Sequence, residues 1–400
     1  MTTTEPAATV APTGAVPQRL PVPALVLLAL TGFIVIMTET LPAGLLTQLA
    51  GDLSITEGAA GQLVTVYALG TVIAAIPAIT LTRGVARKPL LIIGLAGFLV
   101  ANTVTAIAPS LAWALVVRFV GGAFAGLLWG MLAGYARRIS PSEQSGRALA
   151  IALTGTPVAL AIGTPLGTFL GASLGWRWAF AAISVLTALV ILAALVLVPN
   201  APGQGVGGRL PLRRVAAIPG VATILLVVFG WLMAHNVLYT YIAPFLASAG
   251  DHIRADVALL IFGVAALLGI WATGALVDRA LRRLALVSLA LFAVAGAVLF
   301  VAAPSPVALV AAIVLWGATF GGAATQLQTA MGEAAGENAD VAIALLTTSF
   351  NLAIFGGGAV GALIVDGAGA AWLPVAMIAL AVVAFVGVLA GRRSAFPVGR

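Results

Sequence analysis

The feature that most constrains this chain is a recurrence of apolar runs of about 20 residues or more, broken only by short polar segments, along nearly its whole length. Runs of that length cross a bilayer as α-helices, because a helix satisfies its own backbone hydrogen bonds where no water is present. Strands of a membrane barrel would be about 10 residues long with alternating polarity, and these runs are longer and apolar all round. The pattern predicts twelve spans, at 22–47, 59–82, 88–108, 111–136, 146–172, 176–198, 216–247, 255–277, 284–303, 306–331, 340–365 and 371–391. Composition agrees. Hydrophobic residues make up 62% of the chain and charged residues 8%, with a mean hydropathy of +1.16; soluble domains carry roughly a quarter charged residues. The expected fold class is therefore an all-α integral membrane protein. The absence of cysteine excludes a disulfide scaffold, a thiolate metal site and a cysteine nucleophile. With only His235 and His252 as histidines, no metal centre is expected.

The net charge of +7 raises the question of nucleic acid until the positions of the 19 basic residues are read. Arg19, Arg83, Arg87, Lys88, Arg137, Arg138, Arg147, Arg209, Arg213, Arg214, Arg279, Arg282, Arg283, Arg392, Arg393 and Arg400 all fall on one side of a twelve-span topology. Arg177 and Arg254 fall on the other, and Arg118 lies within a span. Basic residues concentrate in cytoplasmic loops, so both termini are expected in the cytoplasm and no nucleic-acid partner is expected. The segment 332–340 is the acidic exception on that side, with Glu333, Glu337 and Asp340. Residues 1–20, rich in Ala, Thr and Pro, read as a disordered tail without the features of a cleavable signal, so the first span is expected to stay attached.

The stretch 199–215 is the longest polar break between spans, and its Pro, Gly and Arg content suits a linker. The expected organisation is a tail (1–20), an N-terminal six-helix half (21–198), the linker (199–215), a C-terminal six-helix half (216–391) and a cytoplasmic tail (392–400). The halves echo each other. Arg83-x3-Arg87 is matched by Arg279-x3-Arg283 at an offset of 196, Gly122-x3-Gly126 by Gly317-x3-Gly321 at 195, and Gly163-x3-Gly167 by Gly357-x3-Gly361 at 194. Two such pseudo-symmetric halves make a transporter architecture with its substrate site between them.

Several strings then show a family resemblance covering residues 22–391. They are ITLTRGVARK after the second span, GALVDRALRR after the eighth, and Arg118-x3-Gly122-x3-Gly126 in the fourth. Gly163-Thr-Pro165-Leu-Gly167 and Gly175-Trp-Arg-Trp-Ala-Phe180 follow. The sequence resembles the major facilitator superfamily and, within it, the twelve-helix drug:proton antiporter branch. MTETLPAGLLTQLAGDLSIT, HNVLYTYIAPFL and SFNLAIFGGGAVG are similar to purine-, sugar- and chloramphenicol-type exporters. The resemblance implies gating roles for Arg83, Arg87, Lys88, Asp278, Arg279 and Arg283, and for Gly163, Pro165 and Gly167. Thr82 stands where the family usually has an aspartate, so the first-half latch is expected to be weaker. Arginines at inner helix ends can bond C-terminal carbonyls, and Pro157 and Pro165 can kink the fifth span.

Three ionisable side chains lie well inside spans: Glu39, Arg118 and His235. Such residues are costly in a bilayer and mark ion or substrate pathways. At 1.5 Å per residue, Glu39 lies about 25 Å and His235 about 28 Å from the inner surface, and Arg118 about 10 Å from the outer one. All three share one depth in the outer half. Glu39 is the expected proton-binding carboxylate, tuned by Arg118; the alternative is a static ion pair between them. His235, Asn236, Tyr239, Tyr241, Gln326, Gln328 and Asn351 are assigned to a substrate cavity with Tyr67 and Trp129 as walls; the alternative for each amide is plain helix packing. Asp366 reads as a surface cap.

No HExxH or GK[S/T] sequence is present and no G-x-S-x-G nucleophile is expected, so an enzyme and a self-contained ATP-driven pump are not expected. The expected protein is a monomeric secondary transporter of the bacterial cytoplasmic membrane. It needs no cofactor, uses the proton gradient, and exports a small organic molecule such as a drug, purine or sugar by alternating access. A proton-coupled importer (symporter) is the alternative.

Overall fold

The computed structural model describes residues 19–82, 84–203 and 212–397. Arg83, Arg209, Arg400, residues 1–18 of the tail and the middle of the expected linker lie outside the described residues.

The first half begins with α1, which runs Val22–Thr40, tightens into a 3-10 turn at Leu41–Leu45 and resumes at Leu46–Leu53. It continues with α2 (Glu57–Leu81), α3 (Arg87–Ala106), α4 (Leu111–Arg138), α5 (Ser142–Leu174) and α6 (Trp176–Leu197). The second half begins with α7 (Val221–Tyr239), prolonged after a break by Ile242–Ser248. A single helical trace, Ala255–Ala302, follows for 48 residues. At 1.5 Å per residue that trace would be about 72 Å long, more than twice the hydrocarbon thickness. It is broken at Ala280, whose φ of −148° and ψ of 33° are not helical, so it forms two spans, α8 (255–279) and α9 (281–302). The helices α10 (Pro306–Gly321, then Ala323–Ala335), α11 (Ala339–Gly367) and α12 (Leu373–Ala390) complete the bundle. Counting by length and apolarity alone gives 11 crossing helices; the Ala280 break restores the twelve expected from the sequence. Span ends moved by a few residues, most at α1, which runs past residue 47 to Leu53.

Sequence explains the local shapes. Thr56 caps α2 by accepting from the Ala59 N–H at 3.1 Å. Gly175, at φ 101°, turns α5 into α6 in one residue, a conformation that costs glycine little. Between Pro157 and Pro165, residues Ala159–Gly163 of α5 widen into a π-helix. Proline removes backbone donors there, so the kink expected from the sequence takes the form of a local change in helix type.

Packing repeats as the sequence repeats. In the first half α2 packs on α4, α3 on α6, and α1 on α5; in the second α8 packs on α10, α9 on α12, and α7 on α11. A methyl group at Gly122 would strike the Tyr67 carbonyl, and one at Gly126 the Thr71 carbonyl. The partners of Gly317 and Gly321 are the Phe262 and Ala266 carbonyls, each 195 residues on. These glycines let backbones meet, as small-xxx-small packing requires. At the arginine-rich face, Lys88 Nζ donates to the Leu195 carbonyl at the end of α6 at 2.7 Å. Arg282, 194 residues later, donates to the Val388 and Leu389 carbonyls at the end of α12. Cations on the C-terminal carbonyls of a helix are favourable, and here they tie a peripheral helix pair in each half.

Contacts between the halves gather at the other face, where arginines are scarce. Thr56 and Gly58 meet Asp366, Gly61 meets Tyr241, Thr65 meets Gly358, Ala161 meets Gly263, and Phe169 meets Arg254.

Gly122→Leu forces α2 from α4 and is expected to destabilise the protein by about 1–3 kcal/mol. Gly317→Leu should do the same to α8 and α10. Gly134→Leu, on a part of α4 where a Cβ meets nothing within 4 Å, should leave the melting temperature in detergent unchanged.

Candidate functional site

The site begins with a proline. Pro42 has no N–H, so the carbonyl of Thr38, four residues before it, loses its helical partner just as α1 tightens. Arg118 of α4 supplies the missing donors. Its Nη1 donates to Thr38 O, its Nη2 to Glu39 O at 3.4 Å, and its Nε to Leu63 O of α2 at 3.0 Å. Arg118 is 2% exposed, and its guanidinium lies 4.5 Å from the centre of the Tyr67 ring. The Tyr67 hydroxyl donates to Val35 O at 3.2 Å, and Asn102 of α3 donates to the Thr38 hydroxyl at 3.0 Å. Four helices of the first half are thus pinned at one point, where α1 stops being a regular helix.

This geometry speaks against the alternative of a static ion pair. Arg118 and Glu39 are neighbours, but not as a side-chain ion pair. Among the described residues the ion pairs within 4.0 Å are Arg177–Asp52 and Arg254–Asp256. Arg118 spends its donors on carbonyls, including that of Glu39 itself, because the carbonyls released near Pro42 have no other partner. Glu39 is 7% exposed as a residue, and its carboxyl group accepts no hydrogen bond from the described residues. It lies within electrostatic reach of Arg118, Tyr67 and Tyr239. Tyr239 comes from α7, so Glu39 faces the other half.

On that half, His235 sits in an aromatic box. Its ring stacks on Phe320 at 3.6 Å and 6°, with Tyr239, Phe262 and Trp316 within 4.8, 5.4 and 5.5 Å. Trp316 Nε1 donates to His235 Nδ1 at 3.2 Å. An indole only donates, so Nδ1 is the acceptor and the neutral ring carries its proton on Nε2. The Thr240 hydroxyl is buried without a partner among the described residues, and the Tyr239 hydroxyl lies beside the Thr164 hydroxyl of α5. Glu39, Tyr239 and His235 therefore lie in one continuous set across the interface, beside Arg118. The box was missed in the sequence. The signal was two pairs at i, i+4, His235–Tyr239 and Trp316–Phe320, which each place two rings on one helix face.

Other assignments divide. Gln326 is not in this set; its amide donates to Thr273 and Ser288, each at 3.3 Å, inside the α8–α9–α10 packing. Gln328 is exposed toward the arginine-rich end of α10. The Asn236 and Asn351 amides donate to carbonyls of their own helices, Leu232 O and Thr347 O, four residues back. Tyr67 serves Arg118 rather than a cavity wall, and Trp129 packs toward Gly32 of α1. Tyr241 is wedged between α2 and α11, donating to Gly358 O at 2.8 Å. Gly163 and Gly167 admit the Phe33, Met37 and Leu41 side chains of α1 beside Pro165. Of the basic latch residues, Lys88 caps α6, while Arg87 is buried and lines a small cavity with Thr82 and Arg138. Asp278, Arg279 and Arg283 are exposed, and Asp278 makes no ion pair with a described residue; Arg282 is the residue that bonds the end of α12. The letters G-x-S-x-G occur at Gly171–Gly175, but Ser173 lies exposed in the last turn of α5, not at a strand-to-helix elbow.

Removing Arg118 leaves buried carbonyls unsatisfied, each at about 1–3 kcal/mol. Arg118→Ala is expected to lower the melting temperature sharply, and Arg118→Lys, which lacks the planar fork, to fall between it and the parent.

The family model described as Major Facilitator Superfamily matches residues 28–339. Two solved structures share the fold. One is a bacterial homologue of the human lysosomal transporter Spinster in an inward-facing, occupied conformation, with a TM-score of 0.71 at 15% identity over 92% of this chain and 96% of that one. The other is the human organic anion transporter MFSD10 (TETRAN), with a TM-score of 0.69 at 18% identity over 93% of this chain and all of that one.

Proposed function

The chain belongs to the Major Facilitator Superfamily, and we propose that within it this protein exports a small organic molecule in exchange for protons, with Glu39 as the proton carrier. As a member of that superfamily it is a multi-pass membrane protein and a secondary transporter that works by alternating access; it is not an enzyme. The observation that carries the finer reading is the Glu39 carboxyl group, buried at the interface of the halves with no hydrogen-bonded partner among the described residues. An ionised carboxylate so placed is costly, and a proton or a cationic group of a ligand removes the cost. Competition between the two at one carboxyl group is the simplest physical form of antiport. The strings around Glu39, Arg118 and Pro165 support the drug:proton antiporter branch.

Arg118 is committed to backbone carbonyls, so the groups offered to a solute are Glu39, the Tyr239 hydroxyl and the rings around His235. That set favours a neutral or cationic molecule with a flat apolar face over an organic anion, the class after which the MFSD10 transporter is named. The arginine-rich face is read as cytoplasmic, in a bacterial inner membrane, with the protein working as a monomer and without a cofactor.

Reconstituted protein under an imposed pH gradient tests this with a panel of a lipophilic cation, a purine nucleoside and a hexose. Glu39→Gln is expected to reduce gradient-driven transport at least tenfold while solute exchange without a gradient persists. Gradient-driven transport that survives the substitution unchanged would sink the coupling role. Accumulation in inverted rather than right-side-out vesicles is the result expected of an exporter.

A further inference from the structure

We propose that Asp366, at the end of α11, latches the arginine-poor face shut by capping the first turn of α2 in the opposite half. Its Oδ2 accepts from the Thr56 hydroxyl at 3.0 Å and its Oδ1 from the Gly58 N–H at 3.2 Å. Thr56 is the N-cap of α2, so Asp366 meets the end of that helix where backbone donors are unfilled and the dipole favours an anion. Residue 58 has to be small, because a Cβ there would fall on the carboxylate. One turn deeper, Tyr241 donates to Gly358 O at 2.8 Å and lies 3.5 Å from Gly58 O, with Gly61 packed on its ring. Thr65 then meets Gly358.

The Asp366 bonds to Thr56 and Gly58 and the Tyr241 contact with Gly58 O join one half to the other, so they must break when the halves part at this face, whereas the Tyr241 bond to Gly358 O stays within the second half. The second seam, α5 against α8, is closed differently. Gly263 lies on the backbone of Leu160 and Ala161, and the Arg254 guanidinium lies 5.7 Å from the Phe169 ring. That seam can slide on apolar contact. The α2–α11 seam carries the directional, charge-assisted bonds, so Asp366 biases the equilibrium between the two transport states. It does so without touching solute, and the inference does not depend on the role of Glu39.

The chain has no cysteine, so single cysteines report directly. Thr65→Cys lies beneath the latch, Gln328→Cys near the opposite face, and Ser173→Cys, exposed beside α6, identifies the side that a membrane-impermeant maleimide reaches. In the full-length protein, Asp366→Asn is expected to speed labelling at position 65 by about tenfold, the lower end of what one charge-assisted hydrogen bond is worth, and to slow labelling at position 328. Tyr241→Phe, which deletes a single hydroxyl, is expected to do the same more weakly. Unchanged labelling at position 65 in both variants overturns the proposal. Faster labelling at both positions also overturns it, because that marks general loosening rather than a shift between states.

Discussion

In a medium without water, a backbone carbonyl that loses its helical partner has to find another within the protein. That constraint decides where this structure is rigid. Pro42 ends the regular part of α1 and releases carbonyls in the outer half of the bundle; Arg118 gathers them, together with one from α2, over the face of Tyr67. A charged residue in the membrane is thereby a structural bolt, fixing α1, α2 and α4 around the point where Glu39 is presented. Glu39 is left without a hydrogen-bonded partner because the obvious cation beside it is already occupied. A rigid mount and an unsatisfied carboxyl group are complementary halves of one arrangement.

The same economy appears at both faces. On the arginine-rich side, Lys88 and Arg282 fill the carbonyl ends of α6 and α12 within their own halves, which stiffens each half without joining the two. On the opposite side, Asp366 fills the donor end of α2 across the gap. Helix ends within a half are capped by cations, and the helix end that bridges the halves is capped by an anion. The first type of contact persists through a rocking motion and the second is broken by it. Glycines at 122, 126, 317 and 321 keep α2–α4 and α8–α10 in backbone contact, so each half moves as a block.

Much of the candidate site was legible residue by residue, and less of it as a set of contacts. Glu39, Arg118 and His235 stand out because charge is rare in these spans, and their shared depth follows from helical rise alone. What Arg118 bonds was not legible: helical rise places it near Glu39, but whether its donors go to that carboxylate or to carbonyls near Pro42 depends on how α1, α2 and α4 meet. Gln326 is a plainer case. A polar residue in an apolar span looks like a cavity residue, but Thr273 and Ser288 satisfy it inside one half. Asp366 reads from sequence as a surface cap, and only the fold brings it to Thr56 and Gly58 at the start of α2.

Hydropathy, helical rise and the distribution of arginine determined by themselves that this chain is a twelve-helix membrane bundle built from a repeated half. They do so because the bilayer imposes a length, a polarity and a charge bias that each span has to meet alone. Tertiary structure decided which polar groups are used up and which remain, since a donor or acceptor 55 or 310 residues away in sequence sets that. It also decided that the halves touch at the arginine-poor face. That choice rests on contacts between α2 and α11 and between α5 and α8, surfaces whose separate sequences carry no record of which partner, in which state, they meet.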